Sequence, residues 1–543
     1  MVQSSLYLTG EPSKARRAST VAAILLLAIA GKASAIDRHT VSFSYIREQA
    51  RRLAERPYSN PGAAMPEFLE NLNYDEYWTI RPLQTKALWA EQELPFRITF
   101  SFPGYMFTTP TKVHEFTATH VQELPFAPHF FDFGRRADLA ARIPPSLGYA
   151  GFHVLYPLSE ANKYDQLAAF LGSGCFQVAG QDTNFGVSSQ PLAIKTTTGD
   201  EELAVFREFW LGKPAKDTQT LVIYALLDAP SVTGAYRFEL MPGRETVVLV
   251  QLTLFFRKKV AHIGLTPLSS MFLFNDNSVH RPLDYRPRVH TSDGLLIRQP
   301  DGTDVWRPLI NPAAGIVSVY RYKQPVAFGL CQRDRNFANY QDIEQGYERR
   351  TSVWFEPGRG DWGAGSVVLQ ERGTDSEEAQ NITACWQPKK IDIRAPYSIE
   401  YTLKYSDQER SKYGCATATR VGGPVTRAGV HQYIIDFDGR ELRSLEADRL
   451  RVVAKASRGI HIENPYVVRN SIAGGWRLTL PFSISDKTVE RGRLTAYLAH
   501  KGKRVTETWS YLWCKERVFP STPHLALPPQ SQSRLHGMRH TGE

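Results

Sequence analysis

Beyond its first 35 residues this 543-residue chain has no long apolar run, no dense charge run, no CxxC pair and no glycine-rich phosphate loop. Each absence removes a class of function. No later stretch reaches the ~18 apolar residues that a membrane-crossing helix needs. Five cysteines (Cys175, Cys331, Cys385, Cys415, Cys514) lie scattered, which argues against a zinc or redox motif. There is no GxSxG elbow and no HExxH. The glycines of "GRGDWGAG" (358–365) are wrongly spaced for a nucleotide fingerprint and open no helix. Neither zinc-finger spacing nor a dense Lys/Arg run marks a nucleic-acid binder. No repeat at a solenoid period is present.

What is present begins with an export segment. Lys14, Arg16 and Arg17 precede "ASTVAAILLLAIA", and "ASA" at 33–35 has the small-x-small form of a signal-peptidase site. Residues 1–35 therefore read as a signal peptide cleaved after Ala35, exported by the general secretory or the twin-arginine route. Losing its four basic residues (Lys14, Arg16, Arg17, Lys32) and one acid (Glu11) takes the formal charge from +10 to +7. That is a mildly basic, solvated surface. In an exported protein an odd cysteine count leaves at least one thiol unpaired or paired between chains. Cys415 and Cys514 share a segment and could bridge.

Hydrophobic residues at 42% and charged ones at 22% suit a globular protein, and the length asks for two or more domains. "FSYIREQARRLAERPY" (43–58) carries apolar residues at helical spacing up to Pro57. From about residue 75 short β-branched and aromatic runs take over, such as "LPFRITFSF", "LVIYALL" and "TVVLVQLTLFF", punctuated by Gly, Pro, Asn and Asp. "QLAAFLG" (166–172) is a candidate helix. "PKKIDIRAP" (388–396) interrupts the texture, and six or seven alternating strands follow over about 110 residues, the rhythm of an immunoglobulin-like sandwich. The chain reads as all-β: a β-sandwich domain over 36–395, an immunoglobulin-like domain over 396–518 and a disordered tail over 519–543.

The residues that exceed a plain packed β-protein are the tryptophans and their neighbours. "HTSDGLLIRQPDGTDVWRPLINP" (290–312) crowds acids, turn residues and Trp306-Arg307 together. Trp354 and Trp362 bracket "FEPGRGD", and "GLCQRDRNFANYQD" (329–342) adds Arg333 and Arg335. Sugars offer CH faces to aromatic rings and hydroxyls to carboxylates and guanidinium groups. A groove of Trp306, Arg307, Arg333, Arg335, Trp354, Asp361 and Trp362 would suit an oligosaccharide, and core packing is the plainer alternative for each indole. Cleaving a glycosidic bond takes two carboxyl groups, and spacing alone does not choose among Asp293, Asp301, Asp304, Glu356, Asp361, Asp375, Glu377 and Glu378. Asp301-Gly302 is also a simple turn signal.

Several stretches carry a family resemblance in order along the chain: "YDEYWTIR" (74–81), "GYAGFHVLYPL" (148–158), "FREFWL" (206–211), "IYALLDAPSVTGAYRFEL" (223–240), "TPLSSMFLF" (266–274), "DYRP" (284–287), "VWRPL" (305–309), "FGLCQRDRNF" (328–337) and "ETWSYLW" (507–513). The chain resembles the periplasmic glucan biosynthesis protein G/D family. The resemblance implies a large N-terminal β-sandwich of the galactose-mutarotase type, a connector and an immunoglobulin-like C-terminal domain. It also implies a periplasmic role in shaping the glucose backbone of osmoregulated glucans, with β-1,2-glucan cleavage or transglycosylation in some members.

Two departures stand out. The family pattern has an acid directly after the His of the 290 motif, where this chain has Thr291, and a second acid before the Trp that closes the domain, where it has Gln380. Neither replacement moves a proton as a carboxyl does. His290, Asp293, Gly294, Trp306 and Arg307 remain. Three readings follow. The first is a protein that binds and shapes a β-1,2-glucan chain through His290, Trp306, Arg307, Arg333, Arg335, Trp354, Asp361 and Trp362. The second is an active endo-glucanase or transglycosylase with Asp293 and Glu378 as relocated carboxylates, and the third a scaffold that docks the membrane-bound glucan synthase. None calls for a metal, an organic cofactor or nucleic acid.

Overall fold

The computed structural model describes residues 41–60, 65–196, 201–279, 281–423, 427 and 429–515. The expected signal peptide and C-terminal tail lie outside them. Its architecture is all-β, built on a ten-stranded and a fifteen-stranded sheet with a five-stranded sheet at the C-terminal end.

The first core lies between the two large sheets. Phe170 of strand Asp165–Leu171 meets Phe238 of strand Val232–Met241 edge-on at 5.3 Å, and Phe152 meets Phe209 at 5.1 Å. Strand Tyr397–Ser406 shows why the sequence folds this way. Tyr397, Ile399, Tyr401, Leu403 and Tyr405 alternate inward while Ser398, Glu400, Thr402 and Lys404 are half-buried on the other side. That strand pairs with Thr246–Phe256 on one side and Ser352–Gly360 on the other. It is therefore central to the long sheet and belongs to the first core, although the boundary expected at 395/396 would assign it to the second domain. The prolines and lysines of 388–396 form a loop within the first unit, not a linker out of it.

Helix Phe43–Ala54 forms where its spacing placed it. Ser42 accepts a hydrogen bond from the Tyr45 N–H at the N-terminus, and Ile46 and Ala50 are buried against Trp210, Leu226 and Ala235 on the outer face of the long sheet. "QLAAFLG" is a strand, contrary to the helical reading. Asp165–Leu171 pairs with Gly151–Tyr156 and Phe176–Val178, and Leu167 to Leu171 are all buried. A short apolar run covered on both faces has no amphipathic period to reveal its pairing.

The second core joins the C-terminal strands. The five-stranded sheet (Cys415–Gly422, Val430–Asp438, Trp476–Ile484, Ile460–Ile462, Tyr466–Arg469) faces Leu450–Ala456, Arg491–His500 and Thr508–Cys514, with Tyr433 and Trp509 rings 5.4 Å apart. Those three strands continue the long sheet, because Thr508–Cys514 runs parallel to Asp304–Pro308. The two units thus share one sheet. All five cysteines are free thiols, so Cys415 and Cys514 do not bridge. Cys415 Sγ is 3.4 Å from the Tyr413 carbonyl.

Candidate functional site

The hairpin of Gly294–Arg298 and Asp304–Pro308, turned at Gly302 (φ +82°), lies between both cores. Side chains alternate across a strand, and here each face belongs to a different core. Leu295, Ile297, Phe328, Leu330, Val353 and Phe355 enter the first. Leu296, Trp306, Cys331 and Trp354 enter the second. Two glycines make room for the indoles. A Cβ on Gly294 would sit 2.4 Å from the Trp306 ring, and one on Gly329 would sit 2.9 Å from Trp354. Trp306 is 3% and Trp354 2% exposed, and Trp362, 4% exposed, packs on Phe355 and Tyr401 in the first core. Protein covers the faces of all three, so the sugar stacking expected of them is not available in this structure.

The guanidinium groups of that expected groove are also engaged internally. Buried Arg307 pairs with Glu371 at 2.8 Å, whose other oxygen accepts the Ile310 N–H at 2.9 Å. Arg333 clamps the two units together. It bonds both Glu507 oxygens at 2.6 and 2.9 Å, reaches Glu409 at 2.8 Å and lies 3.6 Å over the Trp306 ring. Burial alone would lower Arg333, but Glu409 and Glu507 hold it well above its ordinary range. Arg335 donates to the carbonyls of Glu348 and Arg350 at 3.1 and 2.6 Å. Asp361 is exposed, its N–H bonded to Ser398, and it neighbours Trp362 rather than the 290 motif.

The 290 motif itself forms a polar knot. Gln332 donates to the carbonyls of His290 and Tyr347 and to the Tyr340 hydroxyl, which leaves its Oε1 to accept from His290 Nδ1 at 3.0 Å. His290 is fully buried and stacked on Phe272 at 5.4 Å; burial lowers its pKa against the pull of Asp293, whose carboxylate lies 3.5 Å from Nε2. The Asp293 carboxylate accepts from the N–H groups of Arg333 and Asp334 at 2.6 and 3.0 Å and from Asn275 at 3.2 Å. Three donors on one carboxylate brace the loops it joins.

Thr291 and Gln380, the positions expected to depart from the family pattern, lie on either side of the segment around Met271–Phe272. Thr291 Oγ1 accepts the Met271 N–H at 3.0 Å, and Asn381, next to Gln380, bonds both backbone groups of Phe272 at 2.8 and 2.9 Å. Gln380 itself donates to Ser188 at 2.9 Å. Glu378 is half-buried in the adjoining turn, its N–H donating to Ser376 at 3.2 Å.

Beside the knot lies the feature that residue-type reasoning missed. Arg286 donates to Asp284 at 2.7 Å, to Asp342 at 2.8 Å and to both oxygens of Glu377, one of them at 2.9 Å. Asp284 first, then Glu377, raises its pKa. Burial raises the Tyr347 phenol, which donates to Glu377 at 3.0 Å. Arg288 joins Asp276 at 2.9 Å and Asp334. Over this lattice the loop presents apolar groups to solvent: Tyr285 is 78% exposed and Leu283 fully so, with Ile343 and Phe337 also exposed. The signal was present in "DYRP", where acid, aromatic and base alternate before a proline. Its partners Asp342 and Glu377 lie 56 and 91 residues from Arg286.

Residues 41–513 match the family model described as "Periplasmic glucan biosynthesis protein, MdoG". Relatives named glucans biosynthesis protein G are similar throughout. That of Serratia proteamaculans is 37% identical, over 87% of this chain and 92% of its own. That of Sodalis glossinidius is 38% identical, over 88% and 94%, and that of Bradyrhizobium diazoefficiens 37%, over 92% and 98%.

Proposed function

The chain belongs to the periplasmic glucan biosynthesis protein family, with a role in that biosynthesis, and we propose that it acts there by binding and shaping a β-1,2-linked glucose chain on the 281–288 loop. The observation that carries this reading is Tyr285, an aromatic ring left 78% in solvent beside a lattice of Arg286, Asp284, Asp342 and Glu377. An exposed ring offers a face for sugar CH groups, and the half-exposed edge of Glu377 offers oxygens to hydroxyls. The ion pairs fix the loop before the sugar arrives, which reduces the ordering cost of binding.

The same geometry supports shaping over cutting, with Glu378 as the carboxylate on which the alternative rests. Asp293 is committed to three donors, Glu377 is held by Arg286 and Tyr347, and Thr291 and Gln380 supply no carboxyl. Incubating the purified chain with linear β-1,2-glucan tests both halves. Calorimetry is expected to register binding while chromatography shows unaltered chain lengths. Product that disappears in Glu378→Gln would reject the shaping reading in favour of hydrolysis.

A further inference from the structure

We infer that the C-terminal end of the long sheet, on the face turned away from the second core, is a docking surface for an anionic phospholipid bilayer. The basic residues that form it are dispersed in sequence and meet only through strand pairing. Residues 449–458 and 491–506 contain nine Lys or Arg and no Asp or Glu. Their strands, Leu450–Ala456 and Arg491–His500, pair antiparallel, with Arg451 opposite Ala499, Val453 opposite Tyr497 and Lys455 opposite Thr495. Leu494, Ala496 and Leu498 point into the second core, so the alternate positions Arg491, Arg493, Thr495, Tyr497 and Ala499 face outward. Arg451 and Lys455 lie on that same side, and all four of these cations are exposed. Arg504, opposite Ala499, joins them with its guanidinium 3.6 Å over the Tyr497 ring.

The arginines around the 290 motif are mostly tied to acids, Arg286, Arg288, Arg307 and Arg333 among them. Lys455, Arg491, Arg493 and Arg504 make no ion pair among the described residues; Arg493 lies over Tyr320 and Arg504 donates to Thr508. Charge on an edge strand deters sheet pairing. That accounts for Arg451 and Lys455 but not for Arg491, Arg493 and Arg504, which stand one strand in or on the adjoining hairpin. The layout favours a plane over a line. The cations span about 26 Å along the strands, at ~3.3 Å per residue, and three neighbouring strands across. A lipid surface presents phosphates in two dimensions, whereas an extended polyanion follows one track. The half-buried Tyr497 at the centre is the kind of ring that sits at a membrane interface. The matching family is described as periplasmic, a compartment bounded by membranes. No helix among the described residues is long and apolar enough to cross one, so such contact is peripheral.

The inference does not depend on the glucan reading. Co-sedimentation of the full chain with vesicles tests it. Binding is expected with phosphatidylglycerol-containing vesicles but not with pure phosphatidylcholine, and it weakens as salt rises. Arg491→Gln/Arg493→Gln is expected to lower partitioning about tenfold or more at unchanged melting temperature, and Lys455→Gln to lower it less. Equal partitioning into both vesicle types, or undiminished binding by the double variant, overturns the proposal. Capture of dextran sulfate without capture of any vesicle overturns it too.

Discussion

Two neighbourhoods of this protein pair an aromatic ring with an arginine between acids, and they end in opposite places. At Trp306 and Arg333 the ring is 3% exposed and the guanidinium is bound by Glu409 and Glu507. At Tyr285 and Arg286 the ring is 78% exposed and the guanidinium holds Asp284, Asp342 and Glu377. Both pair an aromatic ring with an arginine; backbone context differs. Trp306 stands on a strand paired on both sides and covered by a core. Tyr285 stands on a loop after the strand Phe272–Phe274, with no sheet to cover it. Aromatic–arginine company signals a binding surface only where the backbone leaves the ring in water.

Stability should separate the two neighbourhoods most sharply. Trp306→Ala, followed by urea unfolding, is expected to cost about 3–5 kcal/mol through lost burial and the cavity left behind. Tyr285→Ala is expected to stay within ~0.5 kcal/mol. A similar cost for both would erase the distinction.

Acid titration probes the ten-stranded sheet, where His153 lies on the face opposite Phe152 and Val154 of the first core. His153 is buried without a partner for Nδ1, and burial lowers its pKa to about 4. The unfolded chain takes up that proton near pH 6.5, before the folded one does. The contribution is therefore complete above pH 6.5 and is lost as pH falls toward 4, about 3 kcal/mol in all. His153→Phe is expected to flatten the stability–pH slope in that window, and an unchanged slope would place the acid sensitivity elsewhere.

The two arginines can be contrasted directly. Arg333→Ala leaves Glu507 buried and is expected to cost about 3–5 kcal/mol. Arg286→Ala leaves acids that water reaches more easily, and is expected to cost about 1–2 kcal/mol while weakening glucan binding. The smallest effect concerns the thiols: with all five cysteines free, reductant is expected to leave the unfolding midpoint unmoved.

Much of this was legible in the sequence. Period-two alternation marked Tyr397–Ser406, helical spacing with Pro57 beyond it marked Phe43–Ala54, and ordered motifs identified the family. The place of 388–396 was not legible, because a polar, proline-flanked stretch looks alike whether it leaves a domain or loops within one. Only the pairing of Tyr397–Ser406 with Thr246–Phe256 decides that. Burial of Trp306 and Trp354 was written in Gly294 and Gly329, whose missing side chains make room for the indoles. Reading it required knowing which strands are neighbours. The Arg333–Glu507 clamp spans 174 residues, and nothing local announces it. The same holds for Arg286 with Glu377, so the lattice under Tyr285 emerges only from the fold.

The most direct measurement is calorimetric titration of linear β-1,2-glucan into the purified chain and two variants, Tyr285→Ala and Trp306→Phe. Affinity is expected to fall about tenfold, roughly 1.4 kcal/mol, in the first and to stay at the parent value in the second. Parent affinity in Tyr285→Ala together with a loss in Trp306→Phe would contradict the account.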